Sequence, residues 1–292
     1  MRWCQRSKIQ RWLLGVLIFE SLISDTLGVS GAAQALDGMR SVPKGTAANA
    51  WLEPCHATPW PAAAPAVFSV GETLAYAVHW GPLKAGDGVI RVESLDKVRN
   101  RPAYHVSMTL GTTGVAQSIH AYREKTDTWI DRDSLLPVRY QKVTREGDYA
   151  RDEDVRLDPA CGRLNRVENR LDKHRVERKQ AVLPGPTFDI LGYIFYLRSL
   201  PLAVGREFPL TLVSGDRLWP VTVRVKSRLK IATAAGWFDC FYIVPTLRGD
   251  AGDTKLRDVD VWLTADTKKI PVRIRMDANI GHIMADLVSR DF

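Results

Sequence analysis

One stretch constrains this 292-residue chain more than any other: Thr187 to Leu200, TFDILGYIFYLRSL. It carries only two charges, Asp189 and Arg198, and is framed by Pro184-Gly185-Pro186 before it and Pro201 after it. A short apolar run can be a buried strand or a buried helix. Here the length, about three turns, exceeds an ordinary buried strand. Thr187 is placed to cap the first turn, with Asp189 inside that turn and Arg198 in the last, where each complements the dipole. Pro201 cannot continue the ladder. The pattern predicts one helix over 187–200. Phe188, Ile190, Leu191, Tyr193, Ile194, Phe195, Tyr196 and Leu197 leave it no polar face. It belongs in a core, being far too short to span a bilayer. Gly192 costs such a helix about 1 kcal/mol against alanine, which points to a close approach to a sheet. Two roles stay open for the aromatics: core packing, or one wall of an apolar ligand pocket, with Trp80, Tyr193, Phe195 and Tyr196 as the candidates.

Around this helix the chain reads as strand after strand. Glu72–Trp80 alternates, Pro137–Arg145 reads as a further strand, and alternation is clearest near the end, at Val259, Val261 and Leu263 and then at Val272, Ile274 and Met276. Glu146-Gly147 marks a hairpin, and Gly86 with Gly88 marks a bulge or close backbone contact. Short turns imply antiparallel neighbours. The expected architecture is mainly β: a large curved antiparallel sheet of roughly 12 strands, a half-open or flattened barrel wrapped on the one long helix.

The N-terminus looks like an export signal. Arg2, Arg6, Lys8 and Arg11 form a basic region, Trp12 to Phe19 a short apolar one, and Ala33-Gln34-Ala35 a cleavage site. Cleavage and retention as an anchor both stay open. Residues 36–67, with five prolines among Ala, Gly and Thr, read as a tether, with Trp51, Cys55 and Trp60 as points that could dock. A single domain follows over 68–292. The product is expected in the periplasm or on the periplasmic face of the outer membrane. Beyond the signal, Cys55 with Cys161 is the favoured disulfide pair, since Cys240 alternates with Phe238 and Tyr242 as a buried strand residue; free thiols throughout is the alternative.

The whole chain carries a formal charge of +8. Residues 1–35 hold four bases and two acids, so 37 bases against 31 acids remain, or +6. That suits peripheral contact with an anionic membrane surface. Nucleic acid is not indicated, because no basic cluster is interleaved with stacking aromatics. Residues 145–179 crowd ten bases and nine acids into 35 positions, in both phases of the alternation. This predicts two hairpins wet on both faces, their exposed ion pairs worth little, or a docking surface for an envelope partner.

A resemblance accompanies these patterns. It is carried by Gly71-Glu72-Thr73-Leu74, by His79-Trp80-Gly81-Pro82-Leu83-Lys84-Ala85-Gly86, and by Trp129-Ile130-Asp131 with Leu136-Pro137-Val138-Arg139. Phe188-Asp189 ahead of Tyr196-Leu197-Arg198 follows, then Trp237-Phe238-Asp239-Cys240, Val261-Trp262-Leu263-Thr264 and Ile270-Pro271-Val272-Arg273. In this order they resemble the bacterial envelope family catalogued as domain of unknown function 3108, from about Phe68 to Ser289. The resemblance implies an exported protein with a large curved antiparallel sheet, and brings no established activity. Its motif residues here are Trp80, Gly81, Lys84, Gly86, Asp189, Arg198, Phe238, Asp239, Trp262 and Pro271. A sheet around a helix is also similar, at fold level alone, to the periplasmic lipoprotein carriers that hold acyl chains.

Motifs for chemistry are missing from the sequence. It has no G-x-S-x-G elbow, P-loop, dinucleotide fingerprint or H-E-x-x-H, and no cofactor is expected. The six histidines are scattered; His79 and His105 could meet on neighbouring strands, short of the three ligands a metal needs. The expectation is a non-enzymatic envelope protein that binds a lipid or other amphiphile. The alternative is an interaction protein using hairpins 145–179, and a hydrolase ranks third.

Overall fold

The computed structural model describes residues 39–41, 65–247, 254–255, 259–278 and 281–292. The export segment and Trp51, Cys55 and Trp60 lie outside the described residues. Two successive meanders build the fold. The first comprises β2 (Thr73–Trp80), β3 (Leu83–Val98), β4 (Arg101–Thr112), β5 (Tyr122–Asp131), β6 (Pro137–Glu146), β7 (Tyr149–Asp158), β8 (Arg163–Arg170) and β9 (Arg175–Val182), following a two-residue β1 (Arg40–Ser41). A short helix, α1 (Gly114–Ile119), links β4 to β5. The second comprises β10 (Thr187–Phe188), β11 (Glu207–Ser214), β12 (Arg217–Thr233), β13 (Gly236–Leu247), β14 (Thr254–Lys255), β15 (Asp260–Thr264), β16 (Pro271–Ala278) and β17 (Gly281–Asp291), with α2 (Ile190–Ser199) between β10 and β11.

The meanders join where β17 pairs antiparallel with β2, with Ile283 opposite Trp80 and Leu287 opposite Tyr76. One sheet therefore runs unbroken from β10 through β17 and β2 to β9. Only β1 stands at the seam between β9 and β10; Arg40 faces Gln180 and Ser41 faces Lys179. The result is a mainly β barrel whose closure hangs on two residues. The segment read as a tether thus contributes Met39–Ser41 to the body, and Met39 is buried against Tyr140, Val155 and their neighbours. Bulges at Val78/His79 and Val92/Ser94 give the long strands β2 to β4 the curvature that closure needs. Gly86 confirms the close contact expected of it: a Cβ there would meet the Gly111 carbonyl oxygen at 2.2 Å.

The sequence expectation differs from the structure in three respects. Seventeen strands are present among the described residues rather than roughly 12, because long runs such as β3 and β12 pair along their whole length and two-residue strands fill the seam and loops. Among the described residues the sheet has one parallel pair, β10 with β11, Thr187 facing Thr211. The helix is shorter than 187–200, with ten residues. Asp189, not Thr187, is the N-cap: its backbone is extended and its carboxylate accepts from the amides of Leu191 and Gly192, both at 3.1 Å. Thr187 donates its hydroxyl to the Gly185 carbonyl instead.

Helix α2 plugs one end of the barrel. Leu191 and Phe195 enter a core cluster with Phe68, Leu74, Ile90 and Val272. Tyr193, Ile194 and Leu197 enter a second with Trp219, Val223, Ile243 and Val261. Gly192 lets the helix sit against β6: a Cβ would lie 3.4 Å from the Pro137 ring and 2.7 Å from Asp189 Oδ1. The start of β2, the turn before β6 and the β15–β16 turn all lie at this plugged end. By antiparallel alternation the β2–β3, β6–β7 and β16–β17 turns lie at the other.

Candidate functional site

The interior beyond the helix is not filled. A cleft of about 630 Å³, measured out to its mouth, is walled by β2, β3, β4, β16 and β17 and floored by Ile190 and Ile194 of α2. Its lining is apolar, with Val78, Ile90, Met108, Leu110 and Met276 prominent, and Glu124 at one side. These walls follow from period-two alternation: in β2, Leu74, Tyr76 and Val78 turn inward while Thr73, Ala75 and Ala77 alternate with them. Tyr76 is fixed by donating its hydroxyl to the Pro271 carbonyl at 2.7 Å, and burial pushes its pKa far above the ordinary tyrosine value.

Met108, Glu124 and Ile190 also border a second lobe of about 370 Å³, measured out to its mouth and lined further by Thr126, Tyr140, Lys142, Asp189 and Ser214. Lys142 pairs with Glu124 at 2.8 Å, and Tyr122 donates to the same carboxylate at 2.5 Å. Asp189 is buried; Leu191, Gly192 and Thr128 all donate to its Oδ2, while Oδ1 meets no protein donor. Burial raises its pKa above the usual carboxylate value despite these hydrogen bonds. The buried Tyr140 hydroxyl likewise has no protein partner.

The charged hairpins are where sequence and structure part most. The prediction of strands wet on both faces is wrong for β7 and β8. Arg151, Glu153, Arg166 and Glu168 point into the barrel and are buried. Arg166 bridges Glu153 and Glu168. Burial opposes its charge, but the two carboxylates outweigh burial and hold its pKa above the ordinary arginine value. The outward partners, Asp152, Asp154 and Arg156, face solvent or the rim. Polar residues fill both phases, so alternation in polarity could not distinguish inside from outside. The available signal was charge balance: the inward phase pairs bases with acids one strand apart.

The pocket candidates from sequence do not line the cleft. Tyr193 and Phe195 are packed solid, Phe195 edge-on to Phe68 at 4.7 Å. Tyr196 lies half-buried against Phe188, and Trp80 packs beside Val78 and Ile283. Sequence reasoning passed over Ile190 and Ile194 because a helix apolar all round does not announce which side stays uncovered.

The motif residues mostly hold the frame. Gly81 turns β2 into β3 at φ +56°. Lys84 pairs with Asp87 on the surface, and Asp239 with Arg228. Phe238 is buried beneath Arg290, Trp262 stacks on Tyr242 at 4.6 Å, and Pro271 receives Tyr76. Arg198 is fully buried, its guanidinium forked onto Glu72. Only Asp189 of this set reaches the interior space. His79 and His105 do not meet, because β3 separates their strands; His105 binds Asp127 and stacks on Trp129. Cys161 is disulfide-bonded, Cys240 is a free buried thiol, and Cys55 lies outside the described residues. No group of three or more metal-ligating side chains forms among the described residues.

A family model described as Protein of unknown function (DUF3108) matches residues 75–288. The chain belongs to this family. No curated protein matches the DUF3108 chain in sequence. Among solved structures, it is similar to a β-barrel-like protein of domain of unknown function DUF1849 from Brucella abortus. That match has 13% identity and a TM-score of 0.53, covering 79% of this chain and 99% of the other. The likeness is one of fold. A candidate exported protein with a YmcC-like fold from Bacteroides fragilis has 8% identity, a TM-score of 0.33 and coverage of 80% and 100%. A candidate lipoprotein from Parabacteroides distasonis has 8%, 0.30, and again 80% and 100%. Both resemble the DUF3108 barrel too loosely to bear on its role.

Proposed function

We propose that this chain is an exported, non-enzymatic binding protein of the cell envelope that holds a lipid or other amphiphile inside its barrel. The observation that carries the reading is the apolar cleft above Ile190 and Ile194, a concave space whose exposed lining is wholly apolar, as in small-molecule sites. A core would normally pack such a space to crystal-like density. The outer wall supports a water-facing protein. Outward mid-strand residues include Arg123 and Lys125 on β5 and Lys226 and Lys230 on β12, all exposed, whereas a membrane-spanning barrel needs an apolar outer band. The basic, then apolar N-terminal segment ending at Ala33-Gln34-Ala35 supports export to the periplasm, and the +6 body supports loose contact with an anionic membrane. The reading of hairpins 145–179 as a docking face is narrowed, because Glu146, Arg151, Glu153, Arg166 and Glu168 are buried and the exposed charge is concentrated from Asp172 through β9.

Native mass spectrometry of protein released gently from the periplasm tests this. Co-purified lipid, lost in an Ile190→Trp variant that fills the cleft, is the expected result. A wild-type chain that emerges at its bare mass and fails to enhance the fluorescence of N-phenyl-1-naphthylamine would sink the reading.

A further inference from the structure

The cleft and the polar lobe are neighbours, with Met108, Glu124 and Ile190 in the lining of both. An occupant whose chain lies in the cleft can bring its other end to this lobe. Two residues that line the lobe each carry a buried polar atom that meets no protein partner, Tyr140 Oη and Asp189 Oδ1. Gly192 leaves room for the latter, since a Cβ there would crowd it at 2.7 Å. Buried polar groups normally find hydrogen-bond partners, and leaving one unmade is costly. We propose that this lobe receives the head group of the amphiphile, and that the head group is uncharged and hydroxylated, as in a monoacylglycerol.

The charge arrangement selects this class. Lys142, the cation of the lobe, is held by Glu124. Glu124 in turn receives Tyr122 and Thr126. A phosphate or carboxylate head would enter beside the carboxylates of Glu124 and Asp189 with that cation already engaged, and burying a charge without a partner is expensive. An ammonium head could donate to Asp189 and to the Tyr140 oxygen, but it leaves the Tyr140 O–H without an acceptor. A hydroxyl both donates and accepts, so it can donate to Asp189 Oδ1 while another accepts from Tyr140. The assignment rests on the cleft being an amphiphile site, and the experiment separates the two.

Purified chain is titrated with N-phenyl-1-naphthylamine, an uncharged apolar fluorophore that reports the cleft alone. It is then displaced by monomyristoylglycerol, myristate, tetradecylamine or a myristoyl lysophosphatidylglycerol. The monoacylglycerol is expected to displace at the lowest concentration. Tyr140→Phe is expected to weaken it about three- to tenfold, the worth of one hydrogen bond, with fluorophore binding unchanged. The same variant in the ligand-free protein is expected to keep or raise Tm, because it removes a buried hydroxyl that no protein group satisfies. Tighter binding of a charged chain, or an unchanged monoacylglycerol in Tyr140→Phe, overturns the head-group assignment while fluorophore binding leaves the cleft standing. A Tyr140→Phe variant with lowered Tm and uniformly weakened binding also overturns it, by showing a structural hydroxyl. A wild type that binds neither fluorophore nor lipid removes the cleft reading itself.

Discussion

Glu72 and Arg198, 126 positions apart, meet in the core as a two-pronged ion pair, Nη1 to Oε1 at 2.5 Å and Nη2 to Oε2 at 2.9 Å. Both side chains are buried. Nε of Arg198 donates to the Lys268 carbonyl, and the guanidinium lies over the rings of Phe195 and Phe68. The pair therefore ties the end of α2 to the start of β2 and to the β15–β16 turn, which fixes the plug at its end of the barrel.

Arg198→Met should cost about 3–5 kcal/mol, because it strands a buried carboxylate. Glu72→Leu combined with Arg198→Met should cost clearly less than the two single changes added together, since it removes both charges at once. Urea denaturation of the three variants checks this. Additive losses would mean that the two groups act separately.

Arg166 gives the sharpest contrast with its own neighbourhood. Arg166→Ala should cost about 3–5 kcal/mol, as it leaves Glu153 and Glu168 buried without their cation. Arg156→Ala on the adjoining strand, outward and largely exposed, should cost under about 0.5 kcal/mol. Read from sequence, Arg166 belonged with Arg156. Equal, small losses in the two denaturation curves would restore that reading.

How much could be read in advance depends on which force placed each residue. The buried helix, the inward phase of β2, β15 and β16, the tight approach at Gly86 and the buried Cys240 were legible because hydrophobic burial or backbone crowding placed them. The Asp189 cap was displaced by two residues because Thr187 and Asp189 are both good caps, and the parallel β10–β11 pair decides between them. The inward Glu124, Lys142, Glu153 and Arg166 were not legible, since a barrel interior paired charge by charge looks like a solvated hairpin in one dimension. The cleft was not legible either: which apolar side chains border unfilled space is a property of the assembled wall.

Two buried acids should respond to pH with opposite signs. Asp189 has its pKa raised above 3.8 by burial. From 3.8 up to the raised value the folded state holds the proton more firmly than the unfolded chain, so this group's contribution falls as pH rises. Asp189→Asn, which keeps a capping oxygen, should therefore gain on the wild type between pH 4 and pH 7. For Asp131, burial also pushes upward, but hydrogen bonds from Arg101 and Ser134 win and its pKa is lowered. Its contribution is full above 3.8 and is lost as pH falls through the lowered value, so Asp131→Asn should cost more at pH 7 than at pH 3. Stability curves at the three pH values decide both; parallel trends would contradict the assignments.

Cys240 should resist labelling. Burial pushes its thiol pKa up to about 12, so almost no thiolate exists at pH 8. Iodoacetamide should leave it unmodified in the folded protein and modify it after unfolding, while Cys161 should label only after reduction. Peptide mass shifts read both, and ready modification of Cys240 in the folded protein would show that the core around Phe238 opens.

The two sides of α2 should behave differently when cut back. Phe195 is enclosed by Phe68 and its cluster, so Phe195→Ala leaves a cavity and should cost about 3–5 kcal/mol. Ile190 is only half-buried and borders the cleft. Removing part of it enlarges a space that already exists, so Ile190→Ala should cost distinctly less than Phe195→Ala. Binding should reverse the order: N-phenyl-1-naphthylamine affinity should shift in Ile190→Ala and stay near wild type in a folded Phe195→Ala, because only Ile190 borders the cleft. Amide exchange adds a third measure. With both faces of the helix packed into core clusters, amides at its centre should exchange as slowly as those of β15. Fast exchange there, with a small loss in Phe195→Ala, would make α2 a lid over the barrel instead of its plug.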